Sequence, residues 1–270
     1  MREREIEGHC SLRQILRLRY YYSFITTLRE WHVRRALKQF IDRELLKGGH
    51  VLDAGCGDGQ HAYWIAKEYP QCQVVALDCD KVAIQRLTVF ANEMRLKNLF
   101  TEIGYLEELC EADVYDLVLN GSVLYSIPDD HRVMRNIACA LREGGMLVLY
   151  SHTKPGYLHR RDPEAVRRAQ IETSTRHFSR DYSVPELRSL IEKSGLAIDR
   201  VDITYGWFGS LGYEIFHAFA GKRGFRYWFP LYLLLIHPLV LLLMLIDFQT
   251  KKQRGNGVLI IAHKPMGVRS

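Results

Sequence analysis

Val51-Leu52-Asp53-Ala54-Gly55-Cys56-Gly57-Asp58-Gly59-Gln60 decides how the rest of the chain is read. A short apolar strand, begun at His50, runs into a turn with glycine at every second position, and helical spacing follows it. Glycines let a backbone approach a ligand closely, and the helix N-terminus behind them offers unpaired N–H groups. A dinucleotide-binding turn has the spacing G-x-G-x-x-G, whereas here Gln60 follows Gly59 and the third glycine comes one residue early. The loop also carries Asp53 and Asp58. Two carboxylates repel a pyrophosphate and suit a ligand that bears an ammonium group.

Outward from this loop, strands and helices alternate. Gln73–Asp78 is a second apolar strand, and it ends in Asp78, nineteen residues after Gly59. A carboxylate at that place can accept hydrogen bonds from both hydroxyls of a ribose. Residues 60–69 and 80–95 have helical spacing, with Val82, Leu87, Phe90 and Met94 on one side of the latter. Leu99–Ile103, Tyr115–Asn120 and Met146–Tyr150 are further strands. Asp130–Arg142 is a helix that stops at Gly144-Gly145. Ser183-Val184-Pro185-Glu186 has the form of a capping box with proline in the first turn. Leu196–Tyr205 and Gly257–Ala262 complete seven strands. This alternation predicts an α/β fold with a largely parallel sheet covered on both faces.

Val51–Gln60 resembles motif I of the class I S-adenosylmethionine (SAM)-dependent methyltransferases, and Asp78 resembles their ribose-binding acid. Tyr115–Asp129 is similar to the fourth-strand motif of that family, and Leu141–Val148 to the motif before its fifth strand. The resemblance covers roughly residues 45–205 and the last strand, with the motifs in the family's order. It implies a Rossmann-like seven-stranded sheet with the last strand antiparallel, and SAM as cofactor. It implies that Asp53, Gly55, Gly57 and Gly59, with Cys56 and Asp58 between them, surround the methionine part, and that Asp78, followed by Cys79, holds the ribose. Asn120 is expected near the cofactor. The family often has an acid at the end of the third strand; here the sequence is Gly104-Tyr105-Leu106, so Tyr105 or the backbone takes the adenine contact.

Methyl transfer needs alignment more than proton traffic, because proximity supplies most of the acceleration. Tyr125, His152 and His159 lie in segments that should face the substrate side. Each serves as a base, a positioning group or a plain pocket wall, and no catalytic base is assigned. His61, in the helix after the loop, is expected to be exposed. Residues 151–182 are polar, basic and irregular, and suit a lid.

The six cysteines are scattered without a CxxC pair, so neither a zinc site nor a disulfide framework is expected. The charged N-terminus has no early apolar core, and a reducing, cytosolic setting is expected. The net charge is +6, and residues 1–40 carry nine basic residues against four Glu. Arg17-Leu18-Arg19-Tyr20-Tyr21-Tyr22 interleaves base and aromatic. A solvated helix face, an anionic membrane surface or nucleic acid each accounts for it.

Residues 227–246 are twenty in number and hold no formal charge. That length can span a bilayer. A single crossing, however, would leave the last strand on the wrong side of the membrane. The flanks agree: Lys222, Arg223 and Arg226 precede the segment, and Lys251, Lys252 and Arg254 follow it. Pro238 breaks a helix near its middle. Two short apolar helices in contact with one leaflet are expected, with Trp207, Phe208, Phe225, Tyr227 and Trp228 near the headgroups; a buried insertion, a dimer interface and a true span are the alternatives.

The expected organisation is a helical cap over residues 1–45, a methyltransferase domain over 46–205 and 255–265, and an apolar insertion over 206–254. The expected function is methyl transfer to a small lipophilic acceptor (a lipid, isoprenoid or apolar-tailed aromatic) on the cytoplasmic face of a membrane. Methylation of tRNA or another nucleic acid, and SAM binding without catalysis, are the alternatives. Oligomerisation is left open.

Overall fold

A computed structural model describes residues 28–41, 48–153, 180–220 and 225–266. Its centre is a seven-stranded sheet in the order β3-β2-β1-β4-β5-β7-β6. The strands are β1 (His50–Ala54), β2 (Gln73–Asp78), β3 (Leu99–Ile103), β4 (Tyr115–Gly121), β5 (Leu141–His152), β6 (Ala197–Thr204) and β7 (Gly257–His263). β7 runs antiparallel to both of its neighbours, and the pairs among β1 to β5 are parallel. The C-terminal ends of β1 to β6 therefore share one edge. In such sheets ligands sit outside that edge, where the strand order reverses, here between β1 and β4.

The helices are α1 (Leu28–Ile41), α2 (Gln60–Glu68), α3 (Lys81–Glu93), α4 (Asp130–Ala140), α5 (Val184–Lys193), α6 (Trp207–Ala220), α7 (Phe225–Leu235) and α8 (His237–Gln249). One core packs α1, α2, α3 and α8 against Val51, Leu117, Leu119, Val148, Leu259 and Ile261. The other packs α4 and α5 against Leu52, Val118, Leu147, Leu149, Val258 and Ile260. Alternate residues of the same strands feed the two cores, as the two-residue period of a strand requires. Both faces are covered, so the strands are apolar throughout.

The expected elements form, with two adjustments. The α4 helix stops at Ala140, and β5 begins at Leu141, which takes an extended conformation and pairs with Tyr115. The register then shifts before Leu117 meets Met146, and Gly144 N–H donates to the Lys264 carbonyl across 2.8 Å. Gly144 and Gly145 thus lie in an irregular strand start rather than behind a helix stop. On α3, Val82 is 61% exposed, and the buried face is Ala83, Ile84, Leu87, Phe90 and Ala91. The uncharged stretch forms two helices, α7 and α8, which meet at Ile236, with Pro238 in the first turn of α8. Within the described residues no helix is long and apolar enough to cross a membrane. The expected span of the N-terminal cap before residue 28, and most of the expected lid with His159, lie outside the described residues.

A buried carboxylate locks α8 to α6 and to the loop that follows α8. Asp247, 1% exposed, accepts the Gly209 N–H at 3.0 Å and pairs with Lys252 at 3.1 Å. On the opposite face, Ser183 and Glu186 form the reciprocal capping box that the sequence implies, with the Ser183 N–H donating to Glu186 at 2.6 Å. Loss of such a cap costs about 1 kcal/mol. Ser183→Ala should lower the denaturation midpoint in urea by a corresponding amount at unchanged slope; an unshifted midpoint would show that the cap is unimportant here.

Candidate functional site

β1 delivers the glycine loop to the active edge, and β2 holds it there. Gly55 and Cys56 donate their N–H groups to the Leu77 carbonyl at 2.8 and 3.1 Å. Asp78 then takes the Gly57 N–H on Oδ2 at 2.7 Å and the Asp80 N–H on Oδ1 at 2.8 Å. Asp80 in turn caps α3, accepting from Val82 and Ala83. One carboxylate thus ties the loop to the end of β2 and to the start of the next helix.

All three loop glycines have positive φ. At Gly59 a side chain is also excluded by space, since a Cβ would sit 2.3 Å from Leu87 Cδ2. At Gly57 a Cβ would meet nothing within 4 Å. The backbone there faces open space, which is the cradle a ligand needs.

The two loop carboxylates behave differently. Asp58 lies outward and pairs with Arg86 of α3 at 2.8 Å. Asp53 is 1% exposed and accepts the Ala62 N–H of α2 at 2.9 Å. Burial pushes its pKa up to about 7; the Ala62 hydrogen bond opposes this, Asp78 adds to it, and Arg29 opposes it. Both carboxylates therefore have protein partners, which the sequence argument for a free acidic loop did not foresee. Cys56 is half-buried beside Asp53 and Asp78, and burial raises its thiol pKa. Cys79 is exposed at the end of β2. Tyr105 is 40% exposed at the start of the 3-10 turn Leu106–Glu108, and β3 places it near Asp78, with Ile103 paired to that residue.

Asn120, the penultimate residue of β4, is fully buried, and its Nδ2 donates to the Ala54 carbonyl at 3.0 Å. Among the described residues its Oδ1 has no hydrogen-bond partner, and neither does Ser122 Oγ. Ser122 is itself a non-glycine residue at positive φ, 63°. Orphaned buried acceptors are rare in native folds and mark a place that a ligand completes. An ammonium group fits the vacant lone pairs of Asn120 Oδ1 and the carboxylate of Asp53. Asp78 keeps a second lone pair on each oxygen for ribose hydroxyls. The residues present thus fit SAM.

Of the acceptor-side candidates, Tyr125 and His152 come together, with ring centroids 6.1 Å apart, and Tyr150 lies 6.2 Å from His152. Tyr150 is fully buried against Thr204, and burial raises its hydroxyl pKa. His61 is not exposed as expected. It is 7% exposed, because α2 packs on β1, β2 and β3 with α1 beside it on the same sheet face, so that Gln60 to Ala66 are all buried. Glu30 of α1 is also fully buried, paired with Arg29 at 2.8 Å. Neither residue has a sequence signature, since both depend on which helix faces meet.

Comparison with known proteins agrees with this geometry. Residues 45–192 match the family profile of a methyltransferase domain. The chain is 41% identical over 101 residues to a 16S rRNA (adenine(1408)-N(1))-methyltransferase of Streptoalloteichus hindustanus, covering 34% of this chain and 47% of that protein. It is 30% identical over 111 residues to a ubiquinone biosynthesis O-methyltransferase of Coxiella burnetii, covering 40% and 46%. The matched stretches span about half or less of the curated relatives' length. Among solved structures, phosphoethanolamine N-methyltransferase 2 of Haemonchus contortus, determined in complex with S-adenosyl-L-methionine, superposes with a TM-score of 0.62 at 18% identity, over 97% of this chain and 59% of that one.

The buried Asp53 has a measurable signature. Its pKa lies near 3.8 when unfolded and near 7 when folded. As pH rises through that window the unfolded chain loses the proton and the folded chain keeps it, so stability falls. Ligand-free wild type should lose stability relative to Asp53→Asn between roughly pH 4 and 7, by at most about 1.4 kcal/mol per pH unit. Parallel melting profiles of the two proteins would contradict the burial assignment. With the fold, the glycine cradle, the acid at the end of β2 and the family profile in agreement, the chain belongs to the class I SAM-dependent methyltransferases.

Proposed function

We propose that this chain transfers a methyl group from SAM to a small lipophilic acceptor at a membrane surface. The observation that carries the lipophilic part is the outer face of α7 and α8, which run on from one another with a kink at Ile236. Leu231, Leu234, Leu235, Leu239, Leu242 and Leu245 are 44–73% exposed along it. On the inner face Tyr232, Val240 and Met244 are buried. A helix pair with one side in the core and a row of leucines on the other suits insertion to headgroup depth. Lys251 and Arg254 follow α8, where cations meet anionic lipid.

The insertion leaves β6 and returns to β7 at the same sheet edge that carries the glycine loop. Trp207 and Phe208 stand at its exit, 49% and 37% exposed, in an edge-to-face pair at 5.1 Å. Amphipathic aromatic rings favour the interface. A lipid acceptor would thus reach the site without leaving the surface. The ubiquinone-pathway relative is consistent with an apolar-tailed acceptor. In this reading residues 46–205 and 255–265 form the catalytic domain, and 206–254 the membrane-contacting insertion.

SAM supplies an electrophilic methyl group on a sulfonium. The chain's contribution is to hold and align. Asp78 takes the ribose, with Cys79 and Tyr105 at the adenine end. Asp53, Asn120 and the Gly55–Gly59 backbone, with Cys56 and Asp58, enclose the methionine part. Alignment supplies most of the acceleration, and no general base is assigned. A second reading, nucleic-acid methylation, is favoured by the rRNA-methylating relative and by the basic face of Arg34, Arg35 and Lys38 on α1.

The test is to incubate the protein, methyl-labelled SAM and a total cell extract. Label should enter the organic phase, and Asp78→Ala should reduce it at least tenfold, roughly the loss of 1.4 kcal/mol or more of binding. Label confined to RNA would establish the second reading, and an undiminished Asp78→Ala would remove the ribose assignment. In flotation with vesicles containing phosphatidylserine, wild type should rise with the lipid. Leu234→Glu/Leu242→Glu should stay in the dense fraction with unchanged SAM affinity; equal flotation would remove this face from the account.

A further inference from the structure

Among the described residues, the C-terminal end of β4 carries buried polar atoms without a hydrogen-bond partner: Asn120 Oδ1, Ser122 Oγ and both ring nitrogens of His61. The imidazole lies on the Gly121 side of the strand, since a Cβ there would stand 3.4 Å from His61 Cδ2 and Nε2. Neighbouring strand residues point to opposite faces, so His61 lies on the face opposite the Asn120 side chain. Asn120 Oδ1 has a place in the cofactor site, on the Ala54 side of the strand. The His61 ring faces away from β1's end toward α1, and the cofactor account does not use it.

The far side of the ring is closed by α1. The charged groups that act on His61 there are Glu30, Arg29 and Arg34. Arg29 neutralises Glu30, and Arg34 adds a positive charge on the same side. Burial pushes the His61 pKa down to about 4. The ring is therefore neutral near pH 7 and presents one N–H donor and one bare lone pair. A buried donor and acceptor without partners destabilise the ligand-free fold, and such groups persist where function needs them.

We propose that His61 binds the methyl acceptor, holding its O–H or N–H group by a hydrogen bond at the end of β4. The inference rests on the transferase reading above and narrows it: the acceptor is protic at the atom beside the ring, an alcohol, phenol or amine rather than a carbon centre. The residues 28–41 of α1 are then one wall of the acceptor pocket, with the Arg29–Glu30 pair as its floor.

The test uses the full chain, with phenol and anisole as probes, because they differ only in the O–H group. Protein carrying ring-labelled histidine is loaded with S-adenosylhomocysteine, and its His61 ring nitrogens are followed by NMR. Phenol should shift them in a saturable way and anisole should not. His61→Leu should bind S-adenosylhomocysteine within threefold of wild type, and its ligand-free melting temperature should rise by on the order of 2 °C as the orphaned nitrogens are removed. It should also lose at least tenfold in labelling of the extract. An unshifted ring, or equal shifts with both probes, overturns the proposal even if the variant fails to fold. A lower melting temperature would make His61 a structural residue, and a tenfold loss of S-adenosylhomocysteine affinity would assign it to the cofactor. Wild type that binds no S-adenosylhomocysteine would overturn the transferase reading itself, and this inference with it.

Discussion

The carboxylate of Asp78 organises the active edge. Through two backbone N–H groups, at 2.7 and 2.8 Å, it fixes the Gly57 peptide on one side and the start of α3 on the other. With the Leu77 carbonyl holding Gly55 and Cys56, the turn after β1 cannot relax away from β2. Hydrogen bonds to a charged acceptor are the stronger kind, and two of them on one side chain define a geometry. The cradle at Gly57, the entry angle of α2 and the place of Asp53 beneath Ala62 all follow from that anchoring. The site is thus pre-organised by backbone, which is what a reaction governed by alignment requires.

Much of this was legible in the residues. Three alternating glycines between an apolar strand and a helix, followed by an acid at the next strand's end, have few physical solutions. The alternation of strand and helix fixes a parallel sheet, and Ser183 with Glu186 announces its own helix start. What was not legible depends on how faces meet. His61 follows a surface-like Gln60 in a helix that, taken alone, has an outer side; only the packing of α1 beside α2 on the sheet buries it. Asp58 is acidic in the sequence, but its pairing with Arg86 requires knowing where α3 begins. The end of α4 was placed late because Gly144-Gly145 resembles a helix stop, whereas pairing of Leu141 with Tyr115 ends the helix first.

The apolar insertion shows the same division. Composition established an uncharged stretch of spanning length, and Pro238 established that it breaks. Which residues face inward is decided by the docking of α8 on α6 and α1, where Val240 and Met244 enter the core and Asp247 secures the seat through Gly209 and Lys252. Leu231, Leu234, Leu235, Leu239, Leu242 and Leu245 are exposed because α6 and α1 cover one side only. The expectation of burial holds for the inner side, which keeps the segment in place; the outer side is exposed, and membrane contact is the proposal that exposure supports.

The central claim is that the loop from Asp53 to Gly59, held by Asp78, is a SAM site. Calorimetric titration of the wild-type chain with SAM and with S-adenosylhomocysteine tests it most directly. The account predicts saturable one-to-one binding of both, with no comparable heat from NAD, because Gln60 stands where a dinucleotide-binding turn has its third glycine. Absence of binding by both sulfur ligands, or preferential binding of NAD, would contradict it.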